Sequence, residues 1–209
     1  MNRLRPTTVA AIWMLFLSGL PASSDYGPLT LFQLLIASDV VVIGDVQRLE
    51  ESQYDLKLTQ SFRGANPSET LQILRENVYP HETRSGDFAV GQPITLFGNR
   101  AEDMLVRPLG RAAEGEILRD AEHVYVRAMS RPPATLIRVD VPGGEGKAYR
   151  IEAEVFDQAL EGFFGCYDLT EQEDFSRRCS NQALASYQQS SWLAAHLAGI
   201  AERRIRRGD

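Results

Sequence analysis

At 209 residues, with 44% apolar and 24% charged side chains, the chain is long enough to bury a core, and disorder is excluded as its overall state. Twenty-eight acidic against 22 basic side chains give a net charge of −6, which excludes general binding to nucleic-acid phosphates. Two cysteines and three histidines leave little material for a metal or redox centre.

The first residues, MNRLRPTTVAAIWMLFLSGLPASSD, carry Arg3 and Arg5, then an apolar run from Val9 to Leu20, then the small residues Ala22, Ser23 and Ser24. This order reads as a signal peptide over residues 1–24, cleaved after Ser24. The apolar run is shorter than the ~20 residues a helix needs to cross a bilayer. No cysteine follows it, so lipid attachment is not expected, nor is stable membrane insertion after removal of the leader. Cleavage removes two arginines and no acid, leaving 20 basic against 28 acidic side chains and a net charge of −8. The expected destination is the periplasm or the extracellular medium, in a bacterial setting. Lysine occurs only at Lys57 and Lys147, an arginine bias that fits a GC-rich genome.

Leu29 to Ser38 is short and apolar, with Leu31, Phe32, Leu35 and Ile36 on one helical face, and predicts a helix that plugs or caps a small barrel. Val40 to Ile43 is a β-branched run that turns polar at Asp45, Gln47 and Arg48, a strand that starts in a core and ends in water. Gly44 within it predicts a bend. Tyr54, Leu56, Leu58 and Phe62 then alternate with Asp55, Lys57, Thr59, Ser61 and Arg63, a second strand with one apolar face. Glu69 to Arg75 gives a short third strand with Leu71 and Ile73 inward. Glu76 to Asp87 has no period and contains Pro80 and Gly86, an exposed loop of a length that often carries function. Val90 to Gly98 turns at Gly91 and runs as a fourth strand, Ile94 and Leu96 inward. Met104 to Leu109 and Gly115 to Leu118 predict a fifth strand broken by the turn at Gly110 to Glu114, where the barrel would close.

The ordered set ASDVVVIGDV, YDLKLTQSFRG, ETLQILRE and FAVGQPITLFG resembles the netrin-like domains of the tissue inhibitors of metalloproteinases and their bacterial exported relatives, over residues 29 to 110. The resemblance implies an OB-type barrel, and a contact surface near the loop after the third strand. It makes Tyr79, His81, Glu82 and Arg84 the candidate binding residues. The inhibitors chelate a target zinc through an N-terminal cysteine and lock the barrel with disulfides. No cysteine precedes Cys166 here, so the resemblance carries the fold and not that mode of inhibition.

Beyond the barrel, Glu122 to Ala128 predicts a further strand, and Thr135 to Val141 with Ala148 to Ile151 flank PGGEGK as a β-hairpin. Val155, Phe156, Ala159, Leu160, Phe163 and Phe164 mark an amphipathic helix ending at Gly165. Cys166 and Cys179 are expected to join as a structural disulfide in an oxidising compartment, around a solvated loop from Asp168 to Ser180. Asn181 to Arg207 predicts one long terminal helix with basic last turns. The expected fold is thus β-rich α+β: an OB-like barrel at 25–120, then a hairpin and two helices at 121–209.

His81, His123 and His196 lie in different elements with no ligand spacing, and no nucleophile elbow or phosphate loop is present. No metal or cofactor is implied. These readings favour an exported interaction protein whose barrel loops contact a protein partner in the envelope or outside the cell. Two alternatives stand beside it: an exported hydrolase with a dispersed site around His81 or His123, and a structural component of an envelope assembly docking through Leu193 to Arg207.

Overall fold

The computed structural model describes residues 27–75, 88–110, 114–144, 146–169 and 175–208. The expected leader and the four candidate residues Tyr79, His81, Glu82 and Arg84 lie outside them.

The chain opens with α1 (Leu31–Ala37), started by a capping box in which the Thr30 hydroxyl accepts from the Gln33 amide and the Gln33 side chain reaches back to the Thr30 amide. β1 (Val40–Leu49), β2 (Gln53–Arg63), β3 (Thr70–Leu74), β4 (Pro93–Arg100), β5 (Leu105–Pro108) and β6 (Glu116–Leu118) come next. They run in the order β1-β2-β3-β5-β4-β6, and an additional β1–β4 pairing closes the barrel. All pairings are antiparallel except β3–β5, the OB-like arrangement. β5 pairs with β4 at residues 98–100 and β6 with the same strand at 94–96, so the two are successive pieces of one broken strand, as the sequence predicts.

Closure bends β1 and β2. Their register shifts at three points, and at one of them Gly44 is required: a Cβ there would lie 2.6 Å from the Lys57 carbonyl oxygen. Another shift alters the apolar face of β2. Val41 pairs with Arg63 and Val42 with Ser61, so Phe62 is the extra residue of a bulge. It leaves the barrel face occupied by Tyr54, Leu56 and Leu58 and packs into a second core. The expected four-residue apolar face is therefore three residues long. Val40, Val42, Val46, Leu71, Ile73, Ile94, Leu96 and Val106 join them, and Tyr125, Val141 and Ala148 from the chain beyond the barrel belong to the same apolar cluster.

The second core lies outside the barrel. Val41 and Phe97, on the outer faces of β1 and β4, meet α1 and the elements of the C-terminal module. This corrects the plug expected of α1: Leu31, Phe32, Leu34 and Leu35 join the outer core, because strand side chains already fill the interior. The module starts with a three-stranded sheet in the order β7-β9-β8, formed by β7 (His123–Val126), β8 (Arg138–Asp140) and β9 (Lys147–Glu152). α2 (Ala153–Cys166) buries Phe156, Ala159, Leu160 and Phe163.

Two sequence readings fail in this module. Asp168 to Ser180 is not wholly a solvated loop: β10 (Tyr167–Leu169) and β11 (Phe175–Arg177) pair antiparallel, and the Phe175 and Tyr167 rings stack at 5.2 Å. The Cys166–Cys179 disulfide forms as expected and closes the base of this hairpin. The terminal helix is two helices, α3 (Asn181–Ser190) and α4 (Trp192–Arg207), parted at Ser191, whose extended backbone and hydroxyl cap α4. The break lets α3 pack on α2 at Gly162, where any Cβ would collide with the Tyr187 ring.

Candidate functional site

The barrel has two unlike ends. At one, the start of β1 and the end of β2 meet α1 and the C-terminal module. At the other lie the β1–β2 turn, the end of β3 and the start of β4; segment 76–87, which joins β3 to β4 in the chain and carries the sequence-predicted binding residues, is outside the described residues.

Two backbone hydrogen bonds tie the turn at Val90 to β1. The Val46 amide donates to the Gln92 carbonyl at 3.0 Å, and the Gly91 amide to the Val46 carbonyl at 2.7 Å. Both feet of segment 76–87 are tied down. Arg75 donates its amide to the Ser52 carbonyl at 2.7 Å and its guanidinium to the Glu50 carbonyl at 2.8 Å. Phe88 is buried edge-on against Tyr54, ring centroids 5.5 Å apart. Two residues beyond Phe88, Val90 stands at the tip of a turn, 65% exposed. Arg48 pairs with Glu50 at 3.3 Å and with Asp55 at 3.2 Å along the same rim. Charges exposed in this way contribute little to stability and are available to a partner.

The opposite end carries a cleft of about 240 Å³ at the seam between barrel and module. Phe62, Phe164 and Leu169 wall it and Tyr167 lies beneath, with Arg63, Asp168 and Arg178 at its polar edge. Sequence reasoning missed this site, since its residues come from segments a hundred positions apart. The bulge that turns Phe62 outward and the disulfide that folds Leu169 back are tertiary events.

The other expected candidates are placed less productively. His123 sits at the start of β7 with its Nδ1 3.7 Å from Asp120 Oδ1. Asp120 is already committed to the turn, accepting from the Glu122 and His123 amides at 2.8 and 2.7 Å and from the Tyr125 hydroxyl at 2.7 Å. Burial pushes its carboxyl up, but these donors together hold it below its ordinary value. His196 lies on α4, remote in sequence from both, and its burial favours the neutral imidazole. Among the described residues no three His, Cys, Asp or Glu side chains group as metal ligands. No described helix is long and apolar enough to cross a membrane.

Comparison with known proteins adds little. No family model matches the chain, and no curated protein matches it. One solved structure, the crystal structure of a candidate exosome complex RNA-binding protein, is 15% identical to this chain, with 88% of this chain and 99% of that one covered. Its TM-score of 0.26 is too low for any argument about fold or ligand.

Proposed function

We propose that the chain is an exported interaction protein with a netrin-like OB barrel, and that the rim around Val90 and segment 76–87 contacts a partner protein. The observation that supports this is the asymmetry of the barrel. One end and the outer wall of β1 and β4 are committed to the second core, whereas the opposite rim holds an apolar side chain in water on a turn that is hydrogen-bonded to Val46. A single exposed valine is ordinary on a protein surface, but its setting is not. Rigid presentation lowers the entropic cost of association, and the flanking charges supply orientation. The Cys166–Cys179 disulfide suits an oxidising compartment, which supports the export half of the reading.

The test uses the chain from Asp25 onward, immobilised and exposed to envelope and culture-supernatant fractions of its own cell. The expected result is stoichiometric retention of a partner. Retention should be abolished by Val90→Asp combined with alanine at Tyr79, His81, Glu82 and Arg84, with circular dichroism unchanged. It should survive Trp192→Ala, an exposed aromatic on α4. Absence of any partner across several salt concentrations, or equal loss on changing Trp192, would sink the reading.

A further inference from the structure

Three arginines hold the module to the barrel or to itself, and they are used differently. Arg119 grips Asp157 on α2 with both arms of its fork, at 3.1 and 2.8 Å, and is a closed ion pair. Arg178 bonds the Gly165 and Phe164 carbonyls and pairs with Asp168 at 3.0 Å. Arg63 is held otherwise. Its guanidinium donates to the Ser38 carbonyl at 2.7 Å and the Leu169 carbonyl at 2.9 Å, and among the described residues no carboxylate pairs with it.

This is an unusual position for a cation. Burial holds the Arg63 guanidinium below its ordinary range, with the nearby Asp39 charge opposing that effect. Asp39 itself accepts from the Arg100 amide at 3.0 Å and stays off the Arg63 fork. Two carbonyls occupy only part of a guanidinium's donors. They also anchor it from both sides of the seam, one on the barrel and one on β10, so the remaining N–H groups are pre-organised at the edge of the cleft. Among the described residues lining that cleft, Arg178 is paired with Asp168 and Arg63 is not paired with a carboxylate, against walls of Phe62, Phe164 and Leu169.

We propose that the cleft binds a small organic carboxylate with an aromatic or apolar body, its carboxylate taken by Arg63 and its body by Phe62, Phe164 and Leu169. A planar fork of single charge, with no carboxylate paired to it among the described residues, suits a monoanionic carboxylate that also brings an apolar body to the cleft walls. The site lies at the barrel end opposite the proposed partner rim and stands independently of it.

The test follows the arginine Nε–H signals of the full chain by heteronuclear NMR, with the Arg63 signal assigned by its loss in Arg63→Lys. Benzoate is the probe, with benzamide and acetate as controls lacking the charge or the ring, and inorganic phosphate as the competing anion. Benzoate should shift the Arg63 signal saturably and leave that of Arg119 in place. Benzamide and acetate should each bind about tenfold more weakly, having lost the charge-assisted bonds or the ring contacts. Because these readings are made on the unaltered protein, they do not depend on whether Arg63→Lys weakens the seam. Absence of a saturable Arg63 shift would overturn the proposal. So would equal affinity for benzoate and either control, or tighter binding of phosphate.

Discussion

The two cores of this molecule are built on different principles. The barrel interior is assembled by strand alternation, with Val40, Val42, Leu56, Leu71, Ile94 and Leu96 pointing inward at intervals of two. Its closure rests on bulges rather than cross-links. The outer core is assembled from helices and rings, with Phe163 contacting Phe32, Phe164, Tyr167 and Phe175 at centroid distances of 5.0 to 6.1 Å, and it is fastened by the disulfide. Val41 and Phe97 belong to barrel strands yet bury their side chains in the second core. A shared wall is expected to couple the two chemically different cores, and substitutions on either side of it measure how far that coupling extends.

The largest effect is expected at Phe163, fully buried at the centre of the ring cluster. Phe163→Ala should cost about 3–5 kcal/mol. If the wall couples the cores, urea unfolding stays a single transition with a lower midpoint. Two separated transitions, with the barrel's unchanged, would break the comparison in favour of independent domains.

Replacing both cysteines by serine should cost about 3 kcal/mol, the chain-entropy value for a loop of this size, the cysteines being 13 positions apart. Hydrogen exchange sharpens the point. Amides of β10 and β11 should lose protection first, while the β1–β4 ladder is expected to keep its own until global unfolding. Uniform loss across both would mean that the hairpin has no separate opening.

Asp157→Asn removes the carboxylate that faces Arg119, whose side chain is only 11% exposed. Leaving that guanidinium without its counter-charge should cost roughly 2 kcal/mol. The loss would be read as a shift in the thermal midpoint. A neutral result would show that the apolar contacts and the Arg63 hydrogen bonds hold the seam without this ion pair.

The smallest effect concerns acid. Burial, helped by the Arg203 charge and opposed by a hydrogen bond with the Ser130 backbone, holds the His196 imidazole below its ordinary 6.5. The unfolded chain therefore binds a proton that the folded one resists. Stability is full above the unfolded value and declines as pH falls through 6.5 toward the lower folded value. His196→Gln should flatten the decline in stability as pH falls below 6.5, a change visible in urea midpoints. An unchanged slope would assign it to other groups.

How much of this was legible in the sequence differs by region. Barrel strands announce themselves through period-two alternation, and even the broken fifth strand was readable from its Gly-rich interruption. The break in the terminal helix also left a trace. The buried positions Leu184 and Tyr187 keep helical spacing, but the next, Leu193, comes six residues later, off any single stripe. The β10–β11 hairpin left no such trace, because its strands are three residues each and rest on a stacked ring pair that has no period.

Local periodicity already marks Tyr54, Leu56, Leu58, Leu71, Ile73, Ile94 and Leu96 as inward strand residues and sets the apolar face of α2, and the presence of two cysteines sets the pairing of Cys166 with Cys179. Tertiary structure alone decided that Phe62 turns outward, that α1 serves the second core, and that Arg63 meets Leu169 across 106 positions. The reason is physical: a bulge is a property of two paired strands, and the Ser38 and Leu169 carbonyls that hold Arg63 meet only where two surfaces come together.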